Sequence, residues 1–220
     1  MNLLQKALRK IGIVFNLSYI GKYQKKWYDD GGDDELRYNH DGILNENSLV
    51  FDLGGYLGEF SDKIYKKYKS NIYIFEIVPK CISKMEVLFK DRKDKISIFP
   101  FGLSDKDSEI YFQGNGPGAK LSNSSSNNIA RLKSIQKFLN ENNIKEVDLI
   151  KINIEGSEYS LLSHLCKSEL IMKFKKIQVQ FHDFDSDSFE KILDINRKLS
   201  ITHNNLYCYP FVWEEWQRKN

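Results

Sequence analysis

From Ser48 onward, short apolar runs alternate with amphipathic stretches of helical spacing, and this alternation constrains the fold more than any other feature. The five main runs are SLVFDLGG, NIYIFEIVP, KISIFPFGLSD, VDLIKINIEG and KKIQVQFHDF. Stretches whose apolar residues recur every three or four positions separate them. Because parallel strands need a crossover of a dozen or more residues, usually a helix, the pattern predicts an α/β fold with a doubly wound, mostly parallel sheet.

Other segments complete this framework. EIYFQG predicts one more short strand and IARLKSIQKFLNENN a helix, and the Gly-, Ser- and Asn-rich residues 114–128 between them predict an exposed loop. The tail ITHNNLYCYPFVWEEWQ predicts one or two further strands. Residues 1–47 form a predicted helical N-terminal arm, and residues 48–220 form the predicted domain that carries the sheet.

Charge and cysteine content narrow the class of protein. The 33 Lys and Arg residues against 30 Asp and Glu give a net charge of +3, too weak a basic excess to indicate nucleic acid, so we predict no nucleic-acid partner. Three widely spaced cysteines form neither a disulfide framework nor a metal clip, which favours a reducing, cytoplasmic location.

Between Leu3 and Ile11, apolar residues share one helix face. A helix that caps the main domain is favoured there over one that contacts a membrane surface.

The first strand-to-helix turn is rich in glycine. Doubly wound sheets bind ligands outside the carboxyl ends of their strands, and the first run ends in Asp52 followed by Gly54, Gly55 and Gly58. A dinucleotide fingerprint G-x-G-x-x-G ending at Gly58 needs glycine at position 53, which is Leu53, and this weakens a nicotinamide interpretation. Glycine lets the backbone approach a ligand, so a branched side chain at position 54 is expected to occupy ligand space.

The second apolar run ends in an acid. Glu76 follows Asp52 at close to the ~20-residue offset at which an acid meets ribose hydroxyls in nucleotide sites. One carboxylate can accept hydrogen bonds from both hydroxyls of a ribose. Together with the order Asp-x-Gly-x-x-x-Gly, this acid is typical of class I S-adenosylmethionine-dependent methyltransferases. Replacing Glu76 by alanine is expected to weaken cofactor binding and to leave the fold intact.

Several segments together resemble the FkbM family of methyltransferases. LVFDLGGYLGEFS is similar to its first motif, IFEIVP to its acidic second motif, FGLSD to the loop that faces the adenine, VDLIKINIEGSEYSLL to the fourth-strand signature I-K-I-D-V-E-G-A-E, and IQVQFHDF to the fifth strand. The likeness covers about residues 48–184. It implies a Rossmann-like class I methyltransferase fold with S-adenosylmethionine as cofactor.

The resemblance also implies which residues contact the cofactor and what the acceptor is. The implied cofactor-binding residues are Asp52, Gly54, Gly58, Glu76, Ile77, Leu103 and Asn153. Asn153 stands where the family usually has Asp, so it keeps the capacity to hydrogen-bond but carries no charge. The acceptor implied is a hydroxyl of a small molecule, such as a sugar or glycoconjugate.

Two residues near the ends of the fourth and fifth runs are candidates for catalysis. His182 is the predicted general base, because imidazole titrates near neutral pH, although a strand-end histidine can instead hydrogen-bond a nearby loop. Glu155 is expected to support the acceptor site or to cap the following helix, and Glu158 to complement that helix's dipole. Asn153, Glu155, His182 and Asp183 suggest a hard metal site, but with one expected carboxylate missing we predict no metal.

The predicted function is therefore an S-adenosylmethionine-dependent O-methyltransferase with a small, carbohydrate-like acceptor. Residues 114–128 and the N-terminal arm would cover the acceptor side, and the arm offers aromatic residues either for sugar stacking or for core packing: Tyr19, Tyr23, Trp27 and Tyr28. Two alternatives stay open. One is a nicotinamide-dependent oxidoreductase, and the other, motivated by Asn153, is a catalytically silent module that retains the cofactor fold.

Overall fold

The computed structural model describes residues 19–113, 120–122 and 128–220. The predicted N-terminal amphipathic face and most of the predicted loop at 114–128 lie outside these ranges. The described residues contain eleven strands: β1 (Leu49–Leu53), β2 (Asn71–Phe75), β3 (Ile96–Phe99), β4 (Gly102–Ser104), β5 (Ser108–Gln113), β6 (Lys120–Ser122), β7 (Asn128–Ser134), β8 (Val147–Ile152), β9 (Phe174–Val179), β10 (His203–Tyr209) and β11 (Trp213–Arg218).

Seven of these strands form the main sheet, in the order β10-β11-β9-β8-β1-β2-β3. The five strands from β9 to β3 are parallel to one another, whereas β11 is antiparallel to both β9 and β10. This confirms the predicted doubly wound, mostly parallel sheet. The strand order reverses between β1 and β8, the position at which such sheets bind ligands.

Helices cover both faces of the main sheet. They are α1 (described over residues 19–29), α2 (Glu59–Tyr68), α3 (Pro79–Leu88), α4 (Ile135–Glu141), α5 (Glu158–Lys167) and α6 (Ser188–Thr202), with a π-helical turn at Gly32–Leu36 and a 3-10 helix at Leu170–Lys173. Local sequence fixes their ends. Pro79 starts α3 at a position that needs no N–H donor, and the Ser134 hydroxyl at the start of α4 accepts a hydrogen bond from the Lys137 amide.

The two faces of the sheet bury separate apolar clusters. Successive residues of a strand point to opposite faces, so on β1 Phe51 packs with α4, α5 and α6 while Val50 packs with α2 and α3. Both side chains are fully buried. A parallel sheet covered on both faces explains why the apolar runs are nearly continuous rather than alternating with polar residues.

A second sheet, in the order β4-β7-β5-β6, differs from the prediction. The third apolar run, predicted as one strand, divides between β3 in the main sheet and β4 in the second sheet. Residues 129–134, predicted as the start of a helix, form β7, and the helix begins only at Ile135. Ile129 and Leu132 fit a helical stripe, but pairing with β5 and β4 buries Ala130 and Ser134, and this tertiary pairing outweighs a weak local preference.

The described part of the N-terminal arm packs against the antiparallel edge of the main sheet. The Trp27 side chain is only 1% exposed, and its ring centroid lies 5.2 Å from that of Tyr209 in a cluster with Val212 and Trp213. Trp27 is therefore a core residue, whereas Tyr28 is 58% exposed. Within the described ranges, none of the helices has the length and apolar character needed to cross a bilayer.

Candidate active site

A pocket of about 260 Å³ opens at the carboxyl ends of β1, β2 and β8, beside the reversal of strand order. Six of the nine predicted site residues line it: Gly54, Glu76, Ile77, Leu103, Asn153 and Glu155. The second sheet contributes apolar side chains to the same wall, including Ile110 and Leu132. The pocket therefore combines a polar rim from the main sheet with an apolar wall from the second sheet.

Glu76 is held in one orientation by backbone groups. Its Oε1 accepts hydrogen bonds from the amides of Ile77 (2.7 Å) and Val78 (2.8 Å), and its Oε2 accepts from the amide of Tyr56 (2.8 Å). Burial raises the pKa of this carboxyl, and the three amides oppose that shift. Glu76 thus ties the loop after β1 to the loop after β2, which argues against the expectation that Glu76→Ala leaves the fold intact, because three donors would lose their acceptor.

Gly54 allows the ends of β1 and β8 to meet. Its φ is 78°, and a Cβ atom added there would lie 1.9 Å from the backbone oxygen of Asn153. The Gly54 amide donates to the carbonyl of Phe75 at 2.9 Å, which joins the loop to β2 as well. Glycine is therefore required by the neighbouring strand, a reason different from the predicted collision with a ligand.

Asp52 and Gly58, predicted to contact the cofactor, do not line the pocket. Asp52 is fully buried beneath it, where its Oδ2 accepts from the Ser61 hydroxyl (2.7 Å) and its Oδ1 from the Lys151 ammonium (3.0 Å). Gly58 precedes α2 with φ 85°, and a Cβ atom there would lie 2.7 Å from the Phe89 ring. Both residues therefore stabilise the glycine-rich loop through contacts on the side away from the pocket.

His182 also lies outside the pocket lining, next to Glu155. Its Nδ1 is 2.8 Å from Oε1 of the fully buried Glu158, and its Nε2 is 3.7 Å from Oε1 of Glu155. Burial disfavours the imidazolium, but the hydrogen bond and charge of Glu158, followed by the charge of Glu155, outweigh it and raise the pKa of His182. Glu158 lies in the first turn of α5, where an acid complements the helix dipole as expected, and it also orients this imidazole and accepts a hydrogen bond from the Gly156 amide at 2.9 Å.

Sequence reasoning missed Lys151 and Gln180. Lys151 lies inside a strand buried on both faces, and a charge in such a run is a signal that a buried partner is near. Gln180, just beyond β9, accepts a hydrogen bond at its Oε1 from the side-chain Nδ2 of Asn153 at 2.9 Å, so the neutral side chain at position 153 has a defined partner.

Glu155 also lines a second, wider groove of about 770 Å³ between α5 and α6. The groove contains aromatic, hydroxyl and charged side chains: Tyr159, Ser160, Ser163, Phe184, Asp185, Lys191 and Asp194. Phe184 is 51% exposed and stacks on the His182 ring with centroids 5.3 Å apart. Across the described ranges, no three His, Cys, Asp or Glu side chains are arranged to hold a metal ion, and the absence of a metal stays a prediction.

Solved structures share this fold at low sequence identity. A methyltransferase FkbM from Methylobacillus flagellatus KT matches with a TM-score of 0.56 and 16% identity, over 82% of this chain and 46% of that one. An rRNA methylase from Streptococcus thermophilus matches with a TM-score of 0.50 and 8% identity, over 81% of this chain and 90% of that one. A Streptococcus mutans protein solved in complex with SAH matches with a TM-score of 0.51 and 8% identity, over 80% of this chain and 91% of that one. This chain therefore spans less than half the length of the FkbM protein.

The rRNA methylase corrects one prediction. The weak net charge of +3 predicts no nucleic-acid partner, and that prediction is wrong, because a protein named for RNA methylation has the same fold. Net charge describes the whole surface and does not identify the ligand of one groove.

The family model for the methyltransferase FkbM domain matches residues 52–207, well over half of the chain, while none of the curated proteins matches the sequence. The match confirms the resemblance carried by the strand-end motifs. It also favours the methyltransferase prediction, with S-adenosylmethionine as cofactor, over the nicotinamide-dependent alternative. The chain belongs to the FkbM family of methyltransferases.

Proposed function

We propose that this protein transfers a methyl group from S-adenosylmethionine to a hydroxyl of a small, carbohydrate-like acceptor. The observation that carries the proposal is the immobilised carboxylate of Glu76 in the pocket beside the reversal of strand order. An acid at the end of the second strand is suited to accept hydrogen bonds from a ribose. Because three backbone amides fix its orientation, binding requires little reorganisation of this side chain.

The other lining residues fit the remaining parts of the cofactor. The apolar side chains of Ile77, Leu103 and Leu132 suit a flat, uncharged base, while Gly54 and Asn153 offer backbone and amide groups to the amino-acid part. Asp52 and Gly58 contribute by holding the loop rather than by contact. When bound, S-adenosylmethionine supplies a methyl group that its sulfonium already activates, so the protein mainly has to align the acceptor.

The groove between α5 and α6 is the proposed acceptor side. It meets the pocket at Glu155, and its aromatic side chains, Tyr159 and Phe184, provide the apolar faces on which sugar rings stack. Asp185 and Asp194 offer carboxylate oxygens that accept hydrogen bonds from hydroxyl groups. This lining favours an uncharged, polyhydroxylated acceptor. The proposed reaction is therefore a carbohydrate modification.

His182 is the proposed general base. Glu158 accepts a hydrogen bond from the Nδ1–H of His182 and fixes the ring, which leaves Nε2 on the side of Glu155 to take a proton from the acceptor hydroxyl. The carboxylate of Glu158 then stabilises the imidazolium that forms. Glu155, at the boundary between pocket and groove, is proposed to orient the acceptor. The proposed location of the protein is the cytoplasm, a reducing compartment, because its three widely spaced cysteines form no disulfide framework.

Calorimetry with S-adenosylhomocysteine tests the cofactor site. Glu76→Gln removes charge-assisted hydrogen bonds worth about 1.5–3 kcal/mol, so the Kd should rise by roughly 10- to 150-fold. Glu86→Gln, which neutralises an exposed acid on α3, is the matched control and should leave the Kd unchanged. Equal Kd values for Glu76→Gln and the parent protein would remove Glu76 from the site.

Methyl transfer from labelled S-adenosylmethionine tests the acceptor. We expect label in mono- and oligosaccharides that carry free hydroxyls, and we expect loss of that label in the Phe184→Ala variant. Label found in RNA and absent from the saccharides would overturn the acceptor part of the proposal. Binding without transfer to any acceptor would instead favour the catalytically silent module.

A further inference from the structure

Four buried polar side chains form a row across the face of the main sheet that packs against α2. In the strand register Asp52 is paired with Lys151, Lys151 with Gln178, and Gln178 with Glu215, so the row crosses β1, β8, β9 and β11 in one line. None of the four is more than 3% exposed. Interior strands of a covered parallel sheet are normally apolar, and buried charge is unfavourable unless it is paired, so this row is an unusual feature of the core.

Lys151 directs its ammonium group at the end of β1. The Nζ atom donates to Oδ1 of Asp52 at 3.0 Å and to the carbonyl oxygen of Gly54 at 2.8 Å, with the Leu53 carbonyl oxygen at 3.4 Å. An ammonium has three donors, and three acceptors surround it here. Burial lowers the pKa of this ammonium and Asp52 opposes that shift. The charge of Lys151 is therefore directed to the first residue of the loop that lines the pocket.

We propose that Lys151 is a positioning residue for the methyl-donor pocket, through its hold on the Gly54 carbonyl. Gly54 sits at φ 78°, and glycine populates several other backbone conformations about as readily. A charged donor on its carbonyl selects one of them before the cofactor arrives, which lowers the ordering required on binding. The inference rests on the proposed function only in naming S-adenosylmethionine as the ligand whose affinity changes.

The same sheet face supplies a matched control in Lys176. This lysine is 5% exposed, and its Nζ pairs with Oε1 of Glu215 at 2.7 Å. It lies on β9, and it is absent from the lining of the described pocket. Lys176→Met thus removes a comparable buried ion pair without altering the hydrogen bonds of Gly54.

The experiment compares Lys151→Met with Lys176→Met in two measurements. The first is hydrogen exchange without ligand, in which the amides of Gly54 and Tyr56 should exchange at least about tenfold faster in Lys151→Met and at the parental rate in Lys176→Met. The second is calorimetry with S-adenosylhomocysteine well below both unfolding temperatures. There the Kd should rise at least about tenfold in Lys151→Met and less than about twofold in Lys176→Met.

Parental exchange and parental Kd in Lys151→Met would overturn the proposal, as would equal changes in both variants. If Lys151→Met does not fold, Lys151→Gln, which keeps an uncharged N–H donor, replaces it. Hydrogen exchange and the Kd should then again change more in the Lys151 variant than in Lys176→Met. A parent protein that does not bind S-adenosylhomocysteine would refute the proposed function instead, and the exchange measurement would still decide the role of Lys151.

Discussion

Replacing Gly54 by alanine should destabilise the fold far more than the same change at Gly42. The two glycines have nearly the same φ, 78° and 77°, so each alanine would carry the same left-handed backbone penalty of roughly 1–2 kcal/mol. The difference lies in the surroundings. A Cβ atom at position 54 would lie 1.9 Å from the backbone oxygen of Asn153, whereas no described heavy atom lies within 4 Å at position 42.

The extra cost at Gly54 follows from that overlap. Real Cβ contacts stay beyond 3.0 Å, so the ends of β1 and β8 would have to separate by about 1.1 Å, and overpacking of this kind typically costs about 1–3 kcal/mol. At ~2–4 °C per kcal/mol for a chain of this size, thermal unfolding of Gly54→Ala should occur roughly 2–12 °C below that of Gly42→Ala.

Calorimetric melting measures both variants, and titration with S-adenosylhomocysteine follows. Because Gly54 and Asn153 line the same pocket, Gly54→Ala should also bind the ligand more weakly, while Gly42→Ala should bind it as the parent protein does. Equal melting temperatures for the two variants would refute the close contact between the strand ends, and with it the reason given for glycine at position 54.

The pH dependence of methyl transfer should identify the base. Since Glu158 raises the pKa of His182, the neutral imidazole should appear only as pH rises above the ordinary value of ~6.5, and Glu158→Gln should move that midpoint downward. His182→Ala should lower kcat by about 10²–10⁴-fold with little change in the Kd for S-adenosylhomocysteine, and near-parental turnover would instead place the base at Glu155 or in the acceptor. In the arm, Trp27→Ala should lower the free energy of unfolding in urea by about 3–5 kcal/mol. The exposed Tyr28→Ala should stay within about 0.5 kcal/mol of the parent protein, and similar losses in both would contradict the packing described.

Residues at strand ends could be predicted because their positions follow from periodicity alone. Gly54 and Glu76 end apolar runs, and a parallel sheet brings such ends to one edge, where both line the pocket. Lys151 and Glu158 could not be assigned this way. Their partners, Asp52 and His182, lie 99 and 24 positions away along the chain, and no local pattern specifies which distant charge will be paired.

The second sheet could not be predicted for a related reason. Residues 129–134 carry apolar side chains at a spacing that fits a helix, and their extended conformation depends on pairing with β4 and β5. Six residues are too few for intrinsic preference to decide between the two states. The apolar wall that Leu132 gives to the pocket therefore exists only because of tertiary contacts.

The pairing of Asp52 with Lys151 has a consequence for biosynthesis. At translation rates of about 5–20 residues per second, Lys151 leaves the ribosome roughly 5–20 s after Asp52, because 99 positions separate them. During that interval β1, α2 and β2 can collapse only with the Asp52 carboxylate bonded to the Ser61 hydroxyl and lacking its ammonium partner, a state that burial of charge disfavours. The nascent N-terminal half should therefore stay open and accessible to chaperones until β8 inserts beside β1, so that completion of the central sheet and assembly of the donor pocket become a single late step in folding.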